Sequence, residues 1–536
     1  MALLLLCTAA LLIFTGHYAN ILIDVGREVY YPERILDGKV LYKDLFVIYG
    51  PFAYFLNAFL YKIFGINLTV LYSAGSLCSY GIITAVYLTA EHFLSKFLSF
   101  ALGCFAIVTG VCSIHLFNFT FPYSYAMLYG TLFCLWSVWL LLKFSDTKSY
   151  GCLYTAAFLS GCAASCKYDF LIYSFIVIFV ILRTRNVKII LKSLILFAAI
   201  PFVCFSILFL QGLRLFDLIN TLQILNLMAH TKTLKYFYMH SGVFFSVQIL
   251  MYWIIGFLKS VLCLGIITAG VRIWEKNSEA AGILTITGIA LTYLLCDPAI
   301  FSFLTGASAI GTLIKYKKVK NDKCLLLLML STIALSIKSF WGLTPLNYGN
   351  YYCASVLTAF FALLFRVIDK NLQKAGAIFI LTISLWFLIF NASQLPDLNG
   401  EIKSLHGKIY TDKNHAAAIN QTLDFLNIQD KGKTAVVFPE GLIINFLSEK
   451  TKISDDFYNS LIPLYAEIFK EQEIIKYFEK SKPDFILFTN QTMESYNTGF
   501  ICRNYCGKFC GYVNKNYVYV GTFGSDFKIF VFMLKY

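Results

Sequence analysis

Residues 183–210 read RTRNVKIILKSLILFAAIPFVCFSILFL. The first ten of these residues contain four basic side chains, and the next eighteen contain no charged side chain. A helix that crosses a membrane needs about 20 predominantly apolar residues, and basic residues collect in the loops on the cytoplasmic side. The stretch therefore predicts a transmembrane helix that begins at a cytoplasmic loop.

The composition of the whole chain agrees with this interpretation. Of its 536 residues, 58% are hydrophobic and only 14% are charged, and the mean hydropathy is +0.69. Soluble proteins are roughly 45–50% apolar and about 25% charged. So little polar surface cannot cover so large an apolar core, which excludes a soluble enzyme, and the same figures exclude a disordered chain, collagen and a coiled coil.

Thirteen apolar segments are candidates for membrane helices. They cover residues 2–22, 68–90, 97–114, 122–142, 150–166, 170–183, 189–210, 246–271, 279–296, 299–314, 324–338, 350–365 and 375–392. The apolar stretch 52–64 is too short to span and is expected to lie in the membrane interface. The first segment lacks the basic start of a signal peptide, so we interpret it as a retained helix.

Basic residues set the expected orientation. With the N-terminus in the cytoplasm, six short cytoplasmic connections hold 17 of the 28 basic residues that precede residue 394, as the positive-inside rule requires. These residues are Lys96, Lys143, Lys148, Arg183, Arg185, Lys188, Lys192, Arg272, Lys276, Lys315, Lys317, Lys318, Lys320, Lys323, Arg366, Lys370 and Lys374. An odd number of spans then puts residues 394–536 outside.

The composition changes at residue 394. Residues 394–536, called the tail below, carry 16 basic and 16 acidic residues, so the whole net charge of +14 lies in residues 1–393. Helix-like stretches are expected at 414–428, 440–449 and 466–480, and strand-like stretches at 434–438, 484–488, 517–520 and 528–533. This alternation predicts a small α/β domain. The basic excess lies in loops between apolar runs rather than on one polar face, which argues against nucleic-acid binding.

Three cysteines of the tail, Cys502, Cys506 and Cys510, are spaced by four residues. In an oxidising compartment two of them could pair and leave one free. The alternative is a plain cysteine stripe on a local helix or loop. No CxxC pair occurs in the sequence, and we assign no metal to this cluster.

The first loop, residues 23–67, carries the most informative polar pattern. Asp24, Arg27 and Glu28 have the spacing i, i+3, i+4, so a helical turn puts all three on one face. We expect the first helix to leave the membrane at Asp24, and an acid at membrane depth is costly and usually functional. The alternative is an ordinary charge network at a helix end.

The first loop resembles that of the GT-C glycosyltransferases, which include protein O-mannosyltransferases and lipid A aminoarabinose transferases. The resemblance rests on the D-x-x-R-E start at Asp24, the pattern Leu36-x-Gly38-x-x-Leu41-Tyr42-x-Asp44, and Tyr49-Gly50-Pro51. It extends to the thirteen-helix layout with an outer tail. It implies a GT-C membrane domain over 1–393, an extracytoplasmic α/β domain over 394–536, and an inverting sugar transfer from a polyprenyl phosphate.

The resemblance also implies roles for particular residues. Asp24 carries over as the catalytic base and Arg27 as a contact to the donor phosphate, with Glu28 in support. Lys167, in the short turn before Asp169, and Lys338 are further candidates for phosphate binding, with snorkelling to lipid headgroups as the alternative. Many relatives have a second acid in the second outer loop, but residues 115–123 contain none. Asp169 or Asp44 could replace it. A metal bridged between two acids is therefore doubtful, and the cofactor is unknown, with a divalent cation as one possibility.

The sequence thus predicts a multi-pass membrane glycosyltransferase of the cell envelope. Its expected partners are a polyprenyl-phosphate-linked sugar, a glycan, lipid or protein acceptor, and membrane lipids. The expected location is the bacterial inner membrane, with the endoplasmic reticulum as the alternative. A transporter or lipid flippase is the main rival, and a polysaccharide polymerase or ligase is another. A transporter should have charged or broken helices at mid-membrane, whereas Asp24, Asp169 and Asp297 lie at expected outer helix ends.

Overall fold

A computed structural model describes residues 1–365, 371–430, 432–448 and 457–535. The predicted loop residues Arg366 and Lys370 lie outside the described residues. Up to residue 394 the chain is helical, with α1 Ala2–Phe14, α2 Val25–Leu36, α3 Phe52–Phe64, α4 Leu68–Glu91, α5 Lys96–Ala106, α6 Tyr125–Thr147, α7 Tyr150–Cys166, α8 Leu171–Leu182, α9 Val187–Leu210, α10 Leu215–Ala229, α11 Lys232–His240, α12 Val247–Ile273, α13 Ser278–Leu295, α14 Leu304–Ile314, α15 Tyr316–Asn321, α16 Lys323–Ser336, α17 Gly349–Phe365 and α18 Asn371–Gln394.

Six helices in the described ranges are long and apolar enough to cross a membrane. They are α4, α6, α9, α12, α13 and the helix that starts at Leu372. Other predicted spans correspond to shorter apolar helices such as Ala2–Phe14 and Gly349–Leu364. The structure therefore supports a membrane protein built from many apolar helices, and the number of thirteen spans stays a prediction.

The first predicted helix, residues 2–22, is too long. Helix α1 ends at Phe14, ten residues before Asp24. The following segment is extended because it pairs with the tail: the Tyr18 N–H donates to the Tyr410 carbonyl at 2.9 Å, and the Tyr410 N–H donates to the Gly16 carbonyl at 2.7 Å. Asp24 therefore lies at the start of α2, not at the end of the first helix.

Residues 211–245 connect the predicted spans 189–210 and 246–271 and are largely helical, since α10 and α11 lie within them. Both helices reach the tail. Glu467 accepts hydrogen bonds from the Lys232 and Thr233 N–H groups at 3.0 and 3.2 Å. Ile224 and Met228 of α10 are buried in the same apolar cluster as Phe438 and Phe509 of the tail. This segment is thus packed on the tail.

The tail contains β1 Gly400–Ser404, β2 Gly407–Thr411, α19 Lys413–Asn427, β3 Ala435–Phe438, α20 Leu442–Leu447, α21 Pro463–Ile468, α22 Glu471–Ser481, β4 Phe485–Thr489, α23 Gly507–Asn516, β5 Tyr517–Phe523 and β6 Ile529–Leu534. Strands β1 and β2 form a hairpin, and the other four form a sheet in the order β3-β4-β6-β5. Only the β3–β4 pair is parallel. The four predicted strands are present, whereas the hairpin and α23 were not predicted.

Two predicted tail helices differ from the structure. The stretch 466–480 divides into α21 and α22. The stretch 440–449 is helical only over α20, and residue 449 lies outside the described part of the chain. Among the cysteines, Cys502 pairs with Cys510 and Cys506 is a buried free thiol, which is the outcome expected for an oxidising compartment.

Candidate active site

The start of α2 places three charged side chains together, as their spacing predicts. Arg27 lies 3.2 Å from Asp24 and 3.2 Å from Glu28. Their exposure differs: the Asp24 side chain is 31% exposed, Arg27 12% and Glu28 1%. Asp24 is therefore the carboxylate of this group that a substrate can reach.

Glu28 connects the first loop to the membrane helices. Its Oε2 accepts a hydrogen bond from the Tyr125 N–H at 2.7 Å, at the first residue of α6. The Tyr54 hydroxyl donates to Oε1 at 3.4 Å. A carboxylate is stabilised at a helix N-terminus because the unpaired N–H groups and the helix dipole both favour negative charge. Glu28 therefore holds α2, and with it Asp24, against α6.

The Tyr49-Gly50-Pro51 sequence places an aromatic ring beside the basic residues of the site. The Gly50 N–H donates to the Cys166 carbonyl at 2.9 Å, and a Cβ at Gly50 would lie 2.1 Å from the Ser165 carbonyl oxygen. Only glycine allows this close approach of two backbones. It brings the Tyr49 ring next to Lys167, whose Nζ is 4.8 Å from the ring centre. The Arg27 guanidinium lies 5.1 Å from the same ring.

Two lysines meet at one carboxylate oxygen beside this ring. Lys167 Nζ and Lys338 Nζ lie 3.4 and 3.3 Å from Oδ2 of Asp169. Lys167 also donates to the Tyr123 hydroxyl at 3.0 Å. Lys338 lies 4.4 Å from the centre of the Tyr348 ring. Aromatic faces stabilise such cations electrostatically, and more strongly where water is excluded.

The two halves of the site differ in charge. The first half consists of Asp24, Arg27 and Glu28, with two carboxylates and one cationic side chain. The second, called the lysine half below, consists of Lys167, Lys338 and Asp169, with two amines and one carboxylate. Burial and the neighbouring Lys338 lower the pKa of Lys167 to about 7. The two lysines hold the pKa of Asp169 well below its usual range, against the effect of burial. The lysine half therefore has an excess of positive charge when Lys167 is protonated, and a bound anion would favour that protonated form.

Six of the seven predicted site residues come together here. The seventh, Asp44, has its described side-chain hydrogen bond within its own turn, where its Oδ2 accepts from the Val40 N–H at 2.9 Å. Asp169 is engaged with the two lysines, so it acts as their partner rather than as a second acid beside Asp24.

Glu440 is a further residue of the site, and the sequence did not predict it. It lies in the turn between β3 and α20, and its Oε2 accepts a hydrogen bond from the Asp24 N–H at 3.3 Å. The two residues line a small cavity of about 30 Å³ between the first loop and the tail, together with Arg27, Ser460 and Tyr465. Glu440 lies where the predicted strand 434–438 is followed by the predicted helix 440–449, and nothing in the local sequence indicates that Asp24 is its neighbour.

Comparison with known proteins gives structural similarities only. No protein-family model and no curated protein matches the sequence. ArnT from Cupriavidus metallidurans bound to undecaprenyl phosphate is similar over 99% of this chain and 97% of its own, with 11% identity and a TM-score of 0.48. The oligosaccharyltransferase of Archaeoglobus fulgidus in complex with Zn and sulfate is similar over 98% of this chain and 72% of its own, with 14% identity and a TM-score of 0.46.

The archaeal oligosaccharyltransferase AglB from Archaeoglobus fulgidus, in complex with an inhibitory peptide and a dolichol-phosphate, is similar over 97% of this chain and 74% of its own, with 12% identity and a TM-score of 0.45. At these identities and TM-scores, the function has to be argued from the residues of the site.

The residues around Asp24 do not favour a divalent cation. Asp24 and Glu28 both pair with Arg27, so a metal ion there would have to displace a guanidinium. Within the described part of the chain, the group of ligand-type side chains with metal-binding spacing is His92, Asp146 and Cys324. Asp146 lies near the end of α6, remote from Tyr125 at its start. We therefore assign charge compensation in the site to its basic side chains.

Proposed function

We propose that the chain is an inverting GT-C glycosyltransferase of the membrane, which moves a sugar from a polyprenyl-phosphate donor to an acceptor hydroxyl. The observation that carries this proposal is the meeting of Arg27, Lys167 and Lys338 around the Tyr49 and Tyr348 rings, next to the partly exposed carboxylate of Asp24. A phosphate-linked leaving group needs fixed cations, and an attacking hydroxyl needs a base.

The difference in charge between the two halves of the site indicates where each substrate binds, with the acceptor hydroxyl at Asp24. The donor phosphate binds at the lysine half, where two cations share one carboxylate. Lys338 is the more accessible of the two lysines, with 16% of its side chain exposed against 4% for Lys167. Lys338 and Arg27 are therefore the direct phosphate contacts. Lys167 is more deeply buried and contributes through its charge.

The reaction is a single displacement. Asp24 takes the proton of the acceptor hydroxyl as that oxygen attacks the anomeric carbon of the sugar. The bond between this carbon and the phosphate oxygen breaks on the opposite face, so the configuration inverts. The polyprenyl phosphate leaves with the bonding electron pair, and its increased negative charge is stabilised by Arg27, Lys338 and Lys167. One carboxylate at the acceptor side is sufficient for this chemistry.

The site is proposed to face the outside of the cytoplasmic membrane, the bacterial inner membrane being the expected one. The predicted positions of the basic loops and the pairing of Cys502 with Cys510 support this orientation. A pair of reporters fused after Tyr536 tests it, one active only outside and one active only in the cytoplasm. Activity of the outside reporter alone is expected, and activity of the cytoplasmic reporter alone would contradict the orientation.

The reaction itself is tested with purified protein and a panel of polyprenyl-phosphate sugars. The measured product is the free polyprenyl phosphate, followed with and without candidate acceptors. Release from at least one donor, enhanced by an acceptor, is expected. No release from any donor, together with movement of the intact lipid across reconstituted vesicles, would contradict the proposal and favour a flippase.

A further inference from the structure

Glu440 of the tail contacts the backbone of the proposed catalytic base. It follows β3 and Pro439, and the Asp24 N–H donates to its Oε2 at 3.3 Å. Its other oxygen lies 3.5 Å from the Ser460 hydroxyl, which donates to it. Residues 24 and 440 are thus joined across the boundary between the first loop and the tail.

Asp24 has a backbone conformation that needs support. Its φ is +60° and its ψ is −42°, and a non-glycine residue in such a sparsely populated region costs on the order of 1–3 kcal/mol. Such a conformation persists only where the surroundings determine it. The N–H of Asp24 is held by Glu440, and its carboxylate by Arg27.

The tail is fitted closely to this part of the first loop. A Cβ at Gly26 would lie 2.5 Å from the Ile443 backbone nitrogen, so α2 and α20 meet almost backbone to backbone. The Asn459 side chain donates to the Tyr31 hydroxyl at 2.9 Å in a buried contact. These contacts orient the turn that carries Glu440.

We propose that Glu440 is the positioning residue for Asp24, so that docking of the tail onto the first loop holds the base in its reactive conformation. The inference rests on the proposed role of Asp24. It assigns to the tail an indirect part in catalysis, through the one hydrogen bond that positions Asp24.

The ionisation state of Glu440 fits this role. Burial and the negative charge of Asp24 raise the pKa of Glu440 to about 8, with Arg27 opposing. Three tyrosines of the tail also face it, Tyr465, Tyr496 and Tyr505, and burial raises the pKa of each, so they stay neutral around that pH. At pH 7 Glu440 is therefore a neutral acid that accepts the Asp24 N–H without adding a second charge. Above about pH 8 it ionises beside Asp24.

Two substitutions separate positioning from packing. Glu440→Ala removes the acceptor, and we expect turnover at saturating donor to fall by about 10–100-fold with donor affinity unchanged, since displacement of a reacting group by about 1 Å can cost about 100-fold. Glu440→Gln keeps an acceptor oxygen and mimics the neutral acid, so it should restore turnover to within about threefold of wild type at pH 7. In wild type, turnover should fall as the pH rises through about 8, and Glu440→Gln should lack this fall.

Glu471→Ala is the matched control. Glu471 is also a tail glutamate that accepts a backbone N–H, that of Phe509 at 2.9 Å, but within the tail itself. Its loss should affect tail stability and leave turnover per folded protein unchanged. A decrease equal to that of Glu440→Ala would show that any weakening of the tail reduces turnover, which would overturn the positioning role.

Amide hydrogen exchange of residues 20–36 provides a readout that does not depend on activity. Exchange at Asp24 should increase in Glu440→Ala and return to the wild-type rate in Glu440→Gln. Wild-type exchange and turnover in Glu440→Ala would overturn the inference, as would a Glu440→Gln protein as impaired as Glu440→Ala. If wild type released no lipid phosphate from any donor while exchange still responded as expected, the contact would stand and the proposed function would fail.

Discussion

The Gly50 N–H donates a hydrogen bond to the Cys166 carbonyl at 2.9 Å. This bond fixes the first loop to the end of α7, one residue before Lys167. Its effect is to set Tyr49 beside Lys167, so that one aromatic ring faces cations from two distant parts of the chain. The Tyr49-Gly50-Pro51 sequence is thus explained by the need for close backbone contact under the proposed phosphate site.

Gly50→Ala should damage this site. The added Cβ would lie 2.1 Å from the Ser165 carbonyl oxygen, so one of the two backbones has to move and Tyr49 with it. We expect donor affinity to fall by at least about tenfold, measured by binding of a polyprenyl-phosphate sugar. Gly265→Ala, where a Cβ meets nothing within 4 Å, is the control and should bind normally. Equal affinity in the two variants would contradict the role of the contact.

Lysine substitutions should weaken donor binding more than folding. Loss of a charge-assisted hydrogen bond typically costs about 1.5–3 kcal/mol. We expect Lys338→Ala to weaken the free energy of donor binding by an amount of that order. Lys167→Ala should weaken it by a similar or smaller amount, because Lys167 is the more buried. The exposed Lys408, paired with Glu401 in the tail hairpin, provides the control Lys408→Ala. Unchanged donor affinity in both site variants would show that these lysines do not bind the donor phosphate and serve only as partners of Asp169.

Donor binding should be accompanied by proton uptake. The pKa of Lys167 is lowered to about 7 in the free protein, and a bound phosphate raises it again because the anion favours the charged amine. Between about pH 7 and 9, binding should therefore take up as much as one proton, and affinity should decrease as the pH rises. Calorimetry in buffers of different ionisation enthalpy measures this uptake. Lys167→Met should abolish it, and an uptake that is the same in Lys167→Met would assign the proton to another group.

Local parts of the site were predictable from the sequence, and contacts between distant segments were not. The i, i+3, i+4 spacing of Asp24, Arg27 and Glu28 is a property of one helical turn, and the structure has it. The meeting of Lys167 and Lys338 at Asp169 depends on how α7 and α16 are arranged, which no local pattern encodes. The resemblance to the GT-C glycosyltransferases predicted both lysines as phosphate contacts, but it did not predict that they share Asp169 as a partner.

The tail accounts for the main differences. Residues 2–22 are apolar enough for one long helix, yet Gly16 and Tyr18 pair with Tyr410 of the tail hairpin, and the helix stops at Phe14. Glu440 was missed for the same reason, since its neighbour Asp24 is 416 positions away in the sequence. Both differences come from long-range hydrogen bonds to backbone groups, and the residue that supplies the backbone group gives almost no signal of them in the sequence.

The role of Asp24 as the base is the central step of the proposed reaction. Asp24→Asn keeps the shape of the side chain and removes the proton acceptor, and general-base catalysis typically contributes about 10²–10⁴-fold. Donor binding should survive, because the phosphate contacts lie on Arg27 and Lys338. Asp44→Asn is the matched control, since that carboxylate serves its own turn.

The deciding measurement is turnover at saturating donor and donor affinity, determined separately on the same preparation of Asp24→Asn. If Asp24 is the base, we expect turnover to fall by at least about a hundredfold while donor affinity stays near that of wild type. Near-wild-type turnover, with the loss appearing in donor affinity or in stability instead, would contradict it and reduce Asp24 to an anchor for Arg27.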